Sequence, residues 1–238
     1  MFDFSVVTFG LPILIGGLFN TILFCTISIV LGLVVGSLIA IGRVSGGSWV
    51  RVPAQVFVEI MRNTPLLVQA FLVYFALPQI GLRLSATAAG ILVLSLFAAA
   101  NFSEAIRSGI LSVPKGQMEA ARAVGMPYFV MMRRIVFAQM LGFVIPALTN
   151  QIIGVIKESA ALSVITVPEV AMAAQVVVGE SFGPIEAYLM VAVLYWLLTG
   201  VVAFGMGILE RHVTAFRSPP GSGRNTGKTT ISLAESHS

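Results

Sequence analysis

The sequence predicts an all-α, polytopic inner-membrane protein with five transmembrane helices. Of its 238 residues, 57% are hydrophobic and only 10% are charged, and the mean hydropathy is +0.97. Soluble domains carry about 25% charged residues, so this composition excludes an ordinary soluble protein. A polar interruption at residues 112–139 separates three hydrophobic segments from two later ones. The single cysteine, Cys25, excludes an intramolecular disulfide and a cysteine-based metal site within this chain.

The first predicted span covers residues 18–41. About 24 residues form roughly 36 Å of helix, which is enough to cross a hydrocarbon core of about 30 Å. Gly32 and Gly36 have the spacing that lets another helix approach closely, although ordinary glycine tolerance in a membrane helix predicts the same pattern. We expect residues 1–12 to form a half-buried segment before the span. The N-terminus lacks a basic region, which argues against a removable signal peptide.

The second and third spans are predicted at residues 55–77 and 85–107. Two charges lie in the first turns of the second span, so its embedded part is expected to start near Pro65. The third span ends in Glu104 and Arg107. These two residues are three apart, which places them on one helix face where they can form an ion pair.

The fourth and fifth spans are predicted at residues 141–157 and 185–209. Between them, residues 166–178 start with Thr166 and carry Glu169 three positions later. This pattern is typical of a capping box at a helix start. About a dozen residues are too few to cross a bilayer, so we expect this helix at the outer membrane interface.

The C-terminal residues 218–238 are rich in Gly, Ser, Pro and Thr, and we expect a disordered cytoplasmic tail after a membrane domain at residues 1–217. The tail contains a partial match to a phosphate-binding loop, but Ser222 stands where its first glycine is required. No strand precedes this segment and no apolar helix follows it. The energy for any transport must therefore come from a separate subunit.

Basic residues predict the orientation. With five spans and the N-terminus outside, Arg83 is the only basic residue assigned to the outer side, and Lys157 lies unassigned near a span end. Positive residues concentrate on the cytoplasmic side of membrane proteins, so residues 112–139 and the C-terminus are expected in the cytoplasm. The basic residues assigned to the inner side are Arg43, Arg51, Arg62, Arg107, Lys115, Arg122, Arg133, Arg134, Arg211, Arg217, Arg224 and Lys228.

The polar interruption carries the most informative motif. Three residues separate Glu119-Ala120-Ala121 from Gly125, and nine residues separate Gly125 from Ile135. Glu119 to Arg122 are expected to form a short helix with small residues on one face, which Gly125 and the following Pro127 would end. Small side chains let a partner surface come close. An amphipathic loop that rests on lipid headgroups would also explain the composition.

This spacing resembles the cytoplasmic loop of ABC importer permeases, and more closely the permeases for polar amino acids. Further matching motifs occur in the same order over most of the chain: RNTPLLVQ at 62–69, SVPKGQ at 112–117, and KES and SVI within 157–165. Ala138 and Phe137 depart from the Pro and Leu usual in the loop. Phe97 and Ala160 replace residues that are often polar in relatives, which weakens any transfer of substrate identity.

The resemblance implies a type I ABC importer permease with no catalytic residue, metal or cofactor of its own. Its expected partners are ATP-binding cassette subunits, a second permease copy or homologue, a periplasmic solute-binding protein and the bacterial inner membrane, without nucleic acid. The residues expected to couple transport to the ATPase are Glu119, Ala120, Ala121, Arg122, Gly125 and Ile135.

Polar residues within the spans are candidates for a solute path, because they are costly in contact with lipid. Interhelical hydrogen bonds are the competing explanation for each of them. An adjacent lysine and glutamate in this set are unlike the others, since ionisable groups at membrane depth are functional candidates by default. Consecutive helix residues do not face each other, so these two are not expected to pair. The candidates are Gln69, Tyr74, Asn101, Asn150, Gln151, Lys157 and Glu158.

Other functions remain open at this stage. An ion-gradient-driven secondary transporter would also have polar residues in its spans, but such folds typically show inverted repeats, which this sequence lacks. A permease for a different small solute is a second alternative. A membrane enzyme is disfavoured, because both histidines, His212 and His237, lie at or beyond the end of the last span.

Overall fold

A computed structural model describes residues 2–214 of the chain, so the predicted tail at 218–238 and Arg217 lie outside the described residues. Within this range the chain forms α-helices and short helical turns without a strand. Four helices of the described range are long and apolar enough to cross a membrane, and a pair of helices with a sharp bend between them is a fifth candidate if the pair counts as one span. The predicted all-α, polytopic class is confirmed, and the described residues hold four or five candidate spans against the five predicted.

The first helix, α1, is much longer than the predicted span at 18–41. It runs from Phe4 to Ser45 without interruption, and Pro12 lies inside it. The side chain of Asp3 caps its start by accepting a hydrogen bond from the Ser5 backbone N–H at 2.8 Å. Residues 4–12 are therefore part of α1 and not a separate half-buried segment. At 1.5 Å per residue, 42 residues extend for about 63 Å, roughly twice the thickness of a bilayer core.

The two halves of α1 pack against different partners. Its C-terminal half packs against α4 (Ala86–Leu111), and its N-terminal half against α8 (Val170–Ser181). A Cβ atom on Gly32 or Gly36 would lie 2.6 or 2.7 Å from atoms of α4, so only glycine permits this close approach. Gly17 has the same role against α8, where a Cβ atom would lie 2.7 Å from the methyl group of Ala173.

The predicted second span is not one helix. α2 (Ser48–Asn63) ends before Thr64, and the next helical segment turns away by 109°. This second segment begins with α3 (Leu66–Phe71) and continues through a π turn and a 3-10 turn to Ile80. Thr64 precedes a proline, which disfavours helical backbone at that position. Accordingly, its φ and ψ are −113° and 138°, which is extended.

α2 is amphipathic and lies outside the core. Val58 is its one buried residue, whereas Trp49 is 95% exposed. Large apolar residues follow one face, while Arg51, Gln55 and Glu59 follow each other at four-residue intervals on another. Such a helix suits the interface between membrane and water. Residues 55–63 of the predicted second span therefore belong to this helix and not to the apolar segment after the bend.

The polar interruption forms two helices. α5 spans Lys115–Ala123, and α6 spans Tyr128–Met131. α6 continues through a π turn into α7 (Phe137–Glu158), so the predicted fourth span, 141–157, is part of a longer helical rod. A 3-10 segment, Ser159–Ile165, leads on to α8, and α9 (Pro184–Thr214) completes the described chain.

The start of α8 differs from the predicted capping box. Thr166 has a left-handed backbone with φ 62° and ends the preceding 3-10 segment. Glu169 is itself the N-cap, and its carboxylate accepts hydrogen bonds from the backbone N–H groups of Ala171 and Met172 at 2.8 and 2.7 Å. Glu169 is completely buried and does not lie on an outer surface. The N-cap of α8 is therefore Glu169, three residues later than the predicted cap, Thr166.

The largest buried cluster surrounds α4. Phe102, Leu94 and Val93 of this helix pack against α1, α3 and the end of α7. A smaller cluster joins the N-terminal half of α1 to α8 and α9. A third cluster lies where α1, α4 and α7 meet the α5 segment, and it positions the candidate functional site.

Candidate functional site

The exposed face of α5 is made of very small residues. Gly116, Ala120 and Ala123 are spaced at one and two helical turns, and all three are exposed. Ala121 is only 4% exposed, because consecutive helix residues point about 100° apart and this one faces the protein. The predicted helix is present, but Ala120 and Ala121 do not share a face. Glu119 and Arg122 flank the small-residue face and are also exposed.

Gly125 ends α5 by a Schellman motif. Its backbone has φ +72°, a left-handed conformation that glycine adopts without steric cost. The Gly125 N–H donates to the Arg122 carbonyl at 2.9 Å, and the Met126 N–H donates to the Ala121 carbonyl at 3.0 Å. Pro127 then begins the next helix. This geometry is the physical reason for a glycine at this place in the motif.

α5 is attached to the membrane helices by polar and apolar contacts. The Gln139 side-chain amide of α7 donates to the side-chain Oε1 of Gln117 in α5 at 2.6 Å. Met118 packs against the cluster formed by α1, α4 and α7. Ile135 is half-buried in the π turn that leads into α7. Ala138, which departs from the proline usual in the loop pattern, is exposed in the first turn of α7 and leaves the helix continuous.

Large apolar side chains project from the turn after α5. Val124 is 77% exposed and Phe129 is 75% exposed. Contiguous exposed apolar groups are costly in water and usually mark a surface that another protein or a membrane covers. Together with the small face of α5, they define the candidate coupling surface: residues 116–129.

The candidate path residues do not gather around one cavity. Gln69 is buried and bridges the bend between α2 and α3, where its amide donates to the carbonyls of Met61 and Thr64 at 2.9 and 3.1 Å. Tyr74 packs against the core cluster around α4. Asn101 donates to the Phe97 carbonyl at 2.9 Å. The Gln69 bonds join two helical segments, as the competing explanation predicts, whereas the Asn101 bond lies within α4 and does not join two helices.

The remaining candidates are more accessible. Asn150 is exposed on α7 and Gln151 is half-buried. Lys157 and Glu158 are both exposed at the end of α7, directly before the 3-10 segment. Lys157 lines a cavity of about 530 Å³ together with Tyr195 and other residues of α9. Within the described residues, neither of these two charges has an ion-pair partner.

A second cavity lies between the C-terminal ends of α1 and α2 and the last turns of α4. Its volume is about 440 Å³. The Glu104 carboxylate is contacted by three guanidinium groups: Arg43 at 2.8 Å, Arg107 on the same helix, and Arg62 at 4.0 Å. The predicted pairing of Glu104 with Arg107 is confirmed. The contacts of Arg43 and Arg62 with Glu104 were not predicted from the sequence, because only the tertiary fold brings α1 and α2 to α4.

A buried polar junction was also missed. The Tyr195 hydroxyl of α9 donates to the Glu169 carboxylate at 3.0 Å. From α1, Thr21 accepts the Val170 backbone N–H at 3.0 Å, and Asn20 donates to the Pro168 carbonyl at 2.8 Å. The junction therefore connects α1 and α9 to the start of α8. In the sequence, the available signals were Asn20, Thr21 and Glu169, three polar residues in otherwise apolar stretches.

Comparison with known proteins relates these features to a family. Residues 28–215 match the family described as binding-protein-dependent transport system inner membrane component. A probable amino-acid ABC transporter permease of Bacillus subtilis is 35% identical over 211 residues, which cover 89% of this chain and 93% of that protein. A probable glutamine ABC transporter permease of Bacillus subtilis is 36% identical and covers 83% of this chain and 91% of its own length. The nopaline transport system permease of Agrobacterium fabrum is also 36% identical, with 84% and 88% covered.

Solved structures agree with the sequence comparison. A crystal structure of an amino acid ABC transporter with histidines matches with a TM-score of 0.84 and 32% identity, covering 89% of this chain and 99% of that chain. An inward-facing methionine ABC transporter has a TM-score of 0.71 at 21% identity, and that likeness concerns the fold alone.

Proposed function

Since the chain belongs to the family of binding-protein-dependent transport system inner membrane components, we propose that it is the permease subunit of an ATP-driven amino-acid importer. It has the type I importer fold that the sequence predicts. In this family the permease forms the membrane path, while a separate subunit hydrolyses ATP. The observation that carries the proposal is α5, a short helix with an exposed small-residue face that ends at Gly125 in the motif of the coupling loop.

We infer that the ATPase docks on the coupling surface, residues 116–129. The exposed face at Gly116, Ala120 and Ala123 would let a partner approach the α5 backbone closely. Movement of α5 would reach α7 through the bond between Gln117 and Gln139 and through apolar packing. Coupling by this route requires a rigid α5, and its hydrogen-bonded C-terminal cap supplies that rigidity.

The proposed assembly contains two permeases, two ATPase subunits and an external solute-binding protein. Members of this family work with an ATPase and a binding protein in general. We propose a second copy or a homologue as the other permease. The N-terminus would lie outside and the C-terminus in the cytoplasm, which places α5 on the side where ATP is available.

Lys157 and Glu158 are proposed to face the solute path. Exposed charges at the end of α7 are incompatible with lipid contact and need water or another protein surface. An amino acid carries both an ammonium and a carboxylate group, so each of these side chains could meet an opposite charge. Lys157→Ala is expected to reduce amino-acid uptake at least about tenfold by loss of a charged hydrogen bond. Unchanged uptake and unchanged ATPase stimulation would exclude this role.

Reconstitution tests the proposed function. The permease would be purified with its ATPase and placed in proteoliposomes with the binding protein and ATP. Labelled glutamine, glutamate, arginine and histidine would be offered separately. Uptake that requires ATP hydrolysis is the expected result. Uptake driven by a sodium or proton gradient without ATP would instead establish a secondary transporter.

A further inference from the structure

The polar cavity between α1, α2 and α4 contains more guanidinium groups than carboxylates. Arg43, Arg62 and Arg107 line it together with Glu59 and Glu104. Arg43 is nearly buried, with a side chain 9% exposed, whereas the Arg62 side chain is 42% exposed. A cavity of about 440 Å³ falls within the usual 300–1,000 Å³ of small-molecule sites. The excess of positive charge favours an anionic occupant.

Arg62 is the guanidinium group with free hydrogen-bonding capacity. Arg43 and Arg107 both donate hydrogen bonds to Glu104. Arg62 lies 4.0 Å from that carboxylate, and this is its closest ion pair among the described residues. The nearby Glu59 carboxylate accepts a hydrogen bond from the Gln55 amide at 2.9 Å. Because this amide is neutral, the bond neutralises neither the charge of Glu59 nor that of Arg62. An arginine fork without a full partner is suited to bidentate binding of a carboxylate.

The position of the cavity relates it to transport. Asn101 lines one side, and Glu104 and Arg107 follow on the next two turns of α4. α4 ends at Leu111, only four residues before α5 begins. The cavity therefore lies in the part of the membrane domain that adjoins the coupling surface. Arg62 itself is in the last turn of α2, just before the bend at Thr64.

We propose that this cavity is a cytoplasmic-side station for the translocated solute, in which Arg62 binds the solute carboxylate. The proposal rests on the proposed function, because it requires an amino-acid permease. Arg43 and Arg107 donate hydrogen bonds to Glu104 and hold it in place. The Glu104 carboxylate therefore does not use the hydrogen-bond donors of Arg62, which stay available to the solute. Asn101 offers an amide on the side toward the membrane centre. The solute class is a small molecule with at least one carboxylate.

Substitution of Arg62 tests the station in the complete transporter. In proteoliposomes, Arg62→Gln is expected to lower the maximal rate of ATP-driven glutamine uptake about tenfold, the effect of losing a charged hydrogen bond. The KM for the glutamine-loaded binding protein should stay unchanged, because the substitution does not touch the outer surface on which the binding protein docks. Arg62→Lys should recover part of the rate. Arg51→Gln, on the same helix but outside the cavity, is the matched control and should behave as wild type.

Cysteine protection tests occupancy directly. Cys25 is buried, so an added cysteine is the accessible thiol of the described chain. Asn63→Cys lines the cavity, and Trp49→Cys on α2 does not. In the purified complex, millimolar glutamine should slow maleimide labelling at position 63 at least threefold and leave position 49 unaffected. Glutaminol, which lacks the carboxylate, should not protect.

The outcomes separate the two proposals. If wild type takes up no amino acid with ATP, the proposed function fails. If wild type transports but Arg62→Gln matches Arg51→Gln, the station is excluded. Equal protection by glutamine and glutaminol would also exclude it, as would equal protection by inorganic phosphate, since the cavity would then be a general anion site. Equal loss of complex yield in Arg62→Gln and Arg62→Lys would assign Arg62 a structural role and overturn the proposal.

Discussion

Gly125 shows how one backbone conformation supports a coupling surface. At φ +72°, an L-residue with a Cβ atom costs about 1–2 kcal/mol, and asparagine tolerates this region better than most. Proline cannot adopt it, because its ring holds φ near −65°. The consequence of a substitution should therefore follow the backbone preference of the new residue and not its size, since no atom lies within 4 Å of a Cβ placed there.

We predict that Gly125→Pro abolishes ATP-driven uptake, that Gly125→Val reduces it strongly, and that Gly125→Asn retains most of it. Glu119→Lys should also abolish uptake, because it reverses a charge beside the small face of α5. Membrane insertion should be unaffected in every case, as measured by the amount of permease in washed membranes. Normal uptake by both Gly125→Pro and Glu119→Lys would contradict the assignment of α5 to coupling.

Ala120 and Ala121 allow docking to be separated from stability. Ala120 is exposed and Ala121 is buried. Ala120→Leu should leave the thermal stability of the permease unchanged but prevent co-purification of the ATPase. Ala121→Leu should lower permease stability by about 1–3 kcal/mol through overpacking. The checks are a pull-down with the ATPase and a thermal unfolding curve of the permease. The reverse pattern would place the docking face on the other side of α5.

At the scale of elements, the bend between α2 and α3 depends both on the local sequence and on contacts across the bend. Pro65 ends α2 locally, since the residue before proline avoids helical backbone. The angle itself depends on Gln69, whose amide bonds Met61 and Thr64 on the other side of the bend. Its carbonyl oxygen has no partner within the described structure.

We predict that Gln69→Leu destabilises the permease by about 1–3 kcal/mol, because three acceptors at the half-buried bend lose their donor. The measurement is thermal unfolding in detergent. Gln79→Leu, an exposed glutamine at the end of the same segment, is the matched control and should change stability by less than about 0.5 kcal/mol. Equal effects of the two substitutions would show that Gln69 does not hold the bend.

At the scale of the whole molecule, α1 determines the arrangement of the other helices. Its glycines contact α4 in one half and α8 in the other, so one helix aligns two packing units. Its length of 42 residues exceeds what a bilayer requires. The N-terminal half of α1 packs with α8 and α9 in a separate apolar cluster.

The orientation of the molecule is a further prediction. Arg83→Cys and Arg122→Cys would be labelled in intact cells with a membrane-impermeant thiol reagent, since the native Cys25 is buried. Position 83 should react from outside, while position 122 should react only after the membrane is opened. Labelling of position 122 in intact cells would reverse the proposed topology and exclude ATPase docking on α5.

Local patterns in the chain were sufficient to predict the class of fold, and also the short helix α5 with its glycine cap. Hydrophobic length predicts membrane spans because backbone hydrogen bonds must be satisfied within lipid. The motif from Glu119 to Gly125 was readable because a helix and its cap depend on neighbouring residues. The full length of α1, the 109° bend and the inward position of Ala121 were not readable, since each depends on packing against distant segments.

The arginine cluster around Glu104 and the buried polar junction at Glu169 depend on the tertiary structure. Arg43 and Arg62 lie on the consecutive helices α1 and α2, whereas Glu104 lies on the distant α4. The packing of glycine-containing α1 against α4 brings these charges together. A helix start in this region was predicted, but the role of Glu169 as the N-cap and its burial beside Tyr195 were not. Short-range hydrogen bonding and hydrophobicity are properties of the local sequence, whereas a cavity and its charge belong to the assembled fold.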